Sequence, residues 1–237
     1  MKFWIPVLLV ALFSGTPEGF QDHWDHWQKR DEGPPGLHIG YRVILKEEAE
    51  RVYNNGWKAV PPDGTRGRQT GAGAYLLRGF QEWEVYPDGI IRYDCVATID
   101  AAVWNSWKKI WLPRLFEFPE DKEKDPETCK PLELWGMRPE QSPSDNTERN
   151  RARFLKYLDP SLSVDTTVIF SRVLVHEDKI QVLIPDALVL QNELRLWPCA
   201  QRGTEENPRL ARFGTASWDF SSLPGYDLGT NPEIRTP

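Results

Sequence analysis

The chain has 237 residues, enough for one domain with appended segments, and 40% of them are hydrophobic, so a sizeable core can be buried. Its formal charge of -6 leaves no basic footprint, which argues against nucleic acid or an anionic membrane as the partner. The 11 Trp bring much apolar area, and each carries an N–H that needs an acceptor once buried.

Residues 1–15, MKFWIPVLLVALFSG, set one Lys before an apolar run that ends in small residues. That is the outline of a secretory signal peptide. The run falls short of the roughly 20 apolar residues a spanning helix needs. The competing reading is a buried N-terminal strand. Lys29-Arg30 has the form of a dibasic, kexin-type processing site, which makes 16–30 a propeptide and 31–237 a single mature domain. The mature chain then keeps His38 and His176 of the four His. A secreted, extracellular protein is expected, with no membrane span. Secretion favours disulfides, and Cys95, Cys129 and Cys199 permit one bridge with one thiol left over. Nothing in the sequence selects the pair. Without CxxC or HExxH spacing, no metal site is expected.

Leu37–Leu45, LHIGYRVIL, reads as a strand. Lys46–Asn55 reads as a short helix closed by Gly56. A turn at Pro61-Pro62 and a glycine-rich loop lead into a short strand, Gly73–Leu77. Ile90–Ile99 reads as a strand entered through Pro87-Asp88-Gly89. Asp100–Trp111 reads as a helix with Asp100 as its N-cap and Trp104, Trp107 and Trp111 on one core-facing side. Residues 118–150 are charged and proline-rich, the composition of a long irregular insertion. Arg151–Leu158 reads as one or two helical turns, Thr166–Val175 and Lys179–Ile184 as strands, and Leu188–Trp197 as strand or helix. From Gly203 the tail reads as irregular. The class is α+β, with strands dominating.

The order Tyr41-Arg42, helix, Gly56-Trp57, Pro61-Pro62 and Gly71-Ala72-Gly73-Ala74-Tyr75 resembles the NAD-binding half of the ADP-ribosyltransferase superfamily, over residues 37–77. Arg42 matches its toxin-like branch, whereas Gly71, Gly73 and Tyr75 match its polymerase-like branch. The Ser-Thr-Ser strand typical of the toxin branch is absent. The resemblance implies a split β-sheet core with short helices, NAD as substrate and no metal. It implies that Tyr41 and Arg42 hold the cofactor, a fork of donors suiting a diphosphate or ribose. It also implies that Gly71 and Gly73 form a nicotinamide lip and that Tyr75 stacks on the ring. The bland reading of the same glycines is a loop whose geometry needs them.

The family's catalytic Glu stabilises the cation formed as nicotinamide leaves. Aligning on Ile184-Pro185 puts Glu177 in that place, beside Arg42 as the catalytic pair. Aligning on Val182-Leu183-Ile184-Pro185 puts Gln181 there instead. The first register implies a toxin or host-directed effector that passes ADP-ribose to a host protein or to water. The second implies an inactive scaffold acting through protein–protein contacts, with its Trp residues and the insertion as the contact surface. Glu82-Trp83-Glu84 and Gln191-Asn192-Glu193 have motif-like spacing but the wrong place in the chain. His176 reads as a surface turn residue.

Overall fold

The computed structural model describes residues 36–62, 69–83, 89–124, 130–136, 145–173 and 176–228, all within the second of two units, Met1–Gly33 and Pro34–Pro237. The expected signal peptide and propeptide, Cys129 and the side chain of Glu177 lie outside the described residues.

β1 (Leu37–Leu45) runs directly into α1 (Lys46–Asn54). The helix ends as its sequence dictates. Gly56 takes φ +64, its N–H reaches the Tyr53 carbonyl at 3.1 Å, and the Trp57 N–H reaches that of Val52 at 2.8 Å. These two bonds are the Schellman pattern that satisfies the last free carbonyls of a helix. β2 (Gly73–Leu77) and β3 (Arg92–Ile99) follow, then α2 (Ala101–Ser106), whose N-cap Asp100 accepts from the Ala102 and Val103 N–H groups at 2.8 and 3.1 Å.

The helix expected over Asp100–Trp111 stops halfway. Trp107 turns extended, and β4 (Lys108–Trp111) pairs parallel with β7 (Thr167–Val173). Trp104, Trp107 and Trp111 do enter the core, 8%, 8% and 2% exposed, but from a helix, its cap and a strand rather than one helical face. Their three- and four-residue spacing mimicked helical periodicity.

The expected insertion also departs from its irregular reading. β5 (Leu115–Phe116) pairs with β6 (Leu132–Glu133), α3 covers Pro119–Lys124, and α4 runs 14 residues from Asp145 to Leu158. Phe118, Leu134 and Trp135 are almost wholly buried. Charge conceals this apolar content: the Arg153 guanidinium stacks 3.9 Å from the Phe118 ring centroid and pairs with Glu120 and Asp121.

β8 (His176–Pro185) is longer than expected and takes in His176. α5 (Asp186–Val189) and β9 (Arg195–Gln201) divide the segment read as either helix or strand. The tail is packed, not loose. It forms a 3-10 helix, Asn207–Phe213, and buries Ala216 and Trp218.

The main sheet has seven strands in the order β4-β7-β8-β2-β1-β3-β9, antiparallel except β4 with β7. The α+β class follows: a mostly antiparallel sheet with a few short helices. Neighbours share long ladders, with one exception. β1 pairs with β3 from Leu37↔Ile99 to Leu45↔Arg92, but meets β2 only at Tyr41↔Leu77. Where β1 runs on without β2, the Trp218 indole N–H donates to the Ile39 carbonyl at 3.0 Å. The outer strands are hydrogen-bonded to loops, Leu196 N to the Trp57 carbonyl on β9 and Trp111 N to the Pro224 carbonyl on β4. Cys95 and Cys199 face each other across β3 and β9 and form a disulfide, the pair the sequence left open.

Five Trp residues, Trp104, Trp107, Trp111, Trp135 and Trp218, are buried, so the expected Trp-lined contact surface is not formed by them. No helix among the described residues is long and apolar enough to cross a membrane.

Candidate functional site

Residues paired across a ladder share a face of the sheet, and neighbours along a strand take opposite faces. Tyr41 pairs with Leu77, Leu77 with Gln181 and Gln181 with Ser171. Tyr75 pairs with Leu183, two residues from Leu77 and Gln181. Tyr41, Tyr75 and Gln181 therefore share one face. Arg42, one residue from Tyr41 and opposite Cys95, points to the other.

On its own face Arg42 is 4% exposed, with Nη2 at 2.5 Å from Glu48 Oε1. The immediate step from β1 into α1 swings Glu48 back over the strand. Burial pulls the Arg42 pKa below its ordinary value, while the carboxylates of Glu48 and then Asp186 act in the opposite direction. Arg42 Nη1 and Asp186 Oδ1 are buried without a hydrogen-bond partner.

On the other face, the glycine-rich turn folds onto Tyr75. The Thr70 N–H donates to the Tyr75 hydroxyl at 2.9 Å, and that hydroxyl donates to the Gly71 carbonyl at 2.7 Å. Gln69 Nε2 donates to the Arg172 carbonyl at 2.6 Å. The Tyr75 ring packs against the apolar cluster that includes Ile169, Leu183 and Phe154, and burial raises its phenol pKa. Close approach requires glycine at Gly73, and the backbone conformation requires it at Gly71. At Gly73, φ +151, a Cβ would collide with the Ile184 carbonyl. At Gly71, φ +131, a Cβ would lie 3.3 Å from Arg151 Nη2.

Gln181 is 1% exposed, and its Nε2 donates to Ser171 Oγ at 3.2 Å. The Tyr41 hydroxyl is shared between the carbonyls of Leu210 and Gly214 at 3.0 and 2.8 Å, and burial pushes its pKa up to about 12. It anchors the 3-10 helix. Glu177 belongs to β8, four residues before Gln181. Glu193, of the decoy Gln191-Asn192-Glu193, is exposed.

The structure thus brings Gly71, Gly73, Tyr75 and Gln181 to one face and sets Arg42 apart from them. Arg42 and Tyr75 lie on opposite faces of the sheet. Sequence reasoning missed Glu48 and Asp186, which become neighbours of Arg42 only through the fold. It also missed Arg151, although Arg151 lies three and four residues before Phe154 and Leu155, on the apolar side of α4. A positive charge in an apolar stripe is a readable signal. Among the described residues, no group of three or more His, Cys, Asp or Glu could hold a metal ion.

A family model described as a family of unknown function (DUF5910) matches residues 68–223, from the glycine-rich turn to the packed tail. No curated protein and no solved structure matches the chain.

Proposed function

We propose that this chain, which belongs to the family of unknown function DUF5910, is a secreted ADP-ribosyltransferase-like protein that acts by binding a protein partner rather than by moving ADP-ribose. The observation that carries this reading is Gln181. It sits in β8 on the face of Tyr75, buried and bonded to Ser171. An amide donates and accepts hydrogen bonds but brings no charge, and the state formed as nicotinamide leaves needs a negative one. The position of Arg42 supports the same reading. It is ion-paired to Glu48 on the opposite face, so it serves the scaffold rather than a diphosphate beside Tyr75. Secretion is supported by the leader-like N-terminus and by the Cys95–Cys199 disulfide, which fits an oxidising compartment. The partner class rests on the resemblance to host-directed effectors.

The test is NAD consumption by the purified protein, alongside Glu177→Ala and Gln181→Glu. Wild type and Glu177→Ala are expected to match a blank without protein. Gln181→Glu is the variant in which a carboxylate returns to the site. Turnover by wild type that Glu177→Ala abolishes overturns the binding reading. It would install a mono-ADP-ribosyltransferase or NAD glycohydrolase with Glu177 and Arg42 as its catalytic pair.

A further inference from the structure

We infer that Arg151 and the Gly71 turn form a binding site for a phosphoryl group, free or carried on an ester. Arg151 is 4% exposed, and its Nε is buried with no hydrogen-bond partner. Among the described residues, no carboxylate forms an ion pair with it. Glu148, one turn earlier on α4, acts on it only electrostatically, as does the Tyr75 hydroxyl. Burial pulls its pKa below the ordinary arginine value. A guanidinium taken out of water with no carboxylate bonded to it is a costly arrangement, and a bound anion relieves it.

The surroundings select the kind of ligand. The Tyr75 hydroxyl is spent on Thr70 and Gly71, and the Thr70 hydroxyl points at Tyr75 at 3.3 Å. The buried polar atom still unmatched here, Arg151 Nε, is a donor on a cation, so it calls for an acceptor that carries negative charge. A phosphoryl group meets both conditions and takes a guanidinium edge through two parallel hydrogen bonds. Gly71 lies directly against the guanidinium, its absent Cβ 3.3 Å from Arg151 Nη2, so the turn's backbone borders the site. The site shares Gly71 and Tyr75 with the expected nicotinamide lip but needs neither Gln181 nor Glu177, so it does not require ADP-ribose transfer.

The test uses the full chain with inorganic phosphate, ADP and adenosine, read by calorimetry and by the Nε–H resonances of 15N-labelled arginine. Phosphate is expected to bind saturably and to move the one Nε resonance that Arg151→Lys removes. Arg151→Gln is expected to lose roughly tenfold or more in affinity, the worth of a charge-assisted hydrogen bond. Arg151→Lys, which keeps charge and length, should fall between the two and remain folded. ADP binding much tighter than phosphate, with adenosine inert, identifies an ester as the ligand, and equal affinities identify free phosphate. Either outcome supports the site. No saturable binding of phosphate or ADP overturns it. So does adenosine binding as well as ADP, an unmoved Arg151 resonance, or full affinity in Arg151→Gln.

Discussion

The two sides of the β1–β2 seam are held together by different physics. β3 and β9, beside β1, are stitched by specific links: the Cys95–Cys199 disulfide, a fork from Arg202 to Asp94 at 2.8 and 2.9 Å, and Asn207 donating to the same carboxylate at 3.0 Å. β2, β8, β7 and β4 have no covalent link among the described residues, and they pack against an apolar cluster that includes Phe154, Leu183 and Ile169. One ladder position, Tyr41↔Leu77, joins the two sides. Arg42 belongs to the stitched side, through the β1–β3 ladder and its ion pair with Glu48. The glycine turn, Tyr75 and Gln181 have only local hydrogen bonds, and their side of the seam relies more on close packing, which is less directional.

Two substitutions probe this contrast at similar cost. Phe154 is fully buried, and Phe154→Ala is expected to remove about 3–5 kcal/mol. Arg202→Ala leaves the Asp94 carboxylate, 1% exposed, without its counter-charge though still bonded to Asn207, and is expected to remove about 3–5 kcal/mol as well. Denaturant unfolding measures both losses, and native-state hydrogen exchange locates them. Phe154→Ala should lower protection first in β7 and β8, and Arg202→Ala first in β3 and β9. Equal loss of protection across the seam in both variants would mean that the sheet opens as one unit.

Cleaving the disulfide is expected to cost somewhat less, about 2–4 kcal/mol, because it removes a loop-closing constraint from the unfolded chain. Its sequence separation is 104 residues, so the constraint acts across most of the described chain. Cys95 and Cys199 are 0% and 4% exposed, so reductant alone should act slowly on the native protein. Cys95→Ala with Cys199→Ala gives the clean measurement. Exchange in β3 and β9 should accelerate more than in β7 and β8, and the reverse order would place the weaker side wrongly.

How much was legible in the sequence follows from what is local. β1, α1 with its Gly56 terminus, β2 and the Asp100 cap lie where their residues put them, because caps and alternation act within a few positions. The Lys108–Trp111 strand was not legible. Its state is decided by parallel pairing with β7, nearly 60 residues further on. The buried content of the insertion was concealed for the same reason, since β5 and β6 form only by finding each other across charged sequence. At the site, residue types were legible and their sides were not. Whether Arg42 joins Tyr75 is set by the one-residue register across the seam, and pleating sends adjacent residues to opposite faces.

The seam also carries the smallest expected effect, at His38. This residue stands on the part of β1 that runs on beyond β2, with Nε2 at 3.1 Å from the Gly40 carbonyl and its ring 4.9 Å from that of Tyr41. Burial holds its pKa below the ordinary histidine value of 6.5, outweighing the carbonyl contacts at Gly40 and Phe213 that act in the opposite direction. The unfolded chain therefore takes up the proton more readily than the folded one. The stabilising contribution is complete above the unfolded value near 6.5 and is lost as pH falls through the lower folded value. Urea midpoints of wild type should drop between pH 7.5 and pH 5.5. His38→Gln, which retains a side-chain donor but cannot titrate, should show a shallower drop. Equal drops in both proteins would assign the acid sensitivity to groups away from the seam, and the end of β1 would then hold as firmly as the stitched ladder beside it.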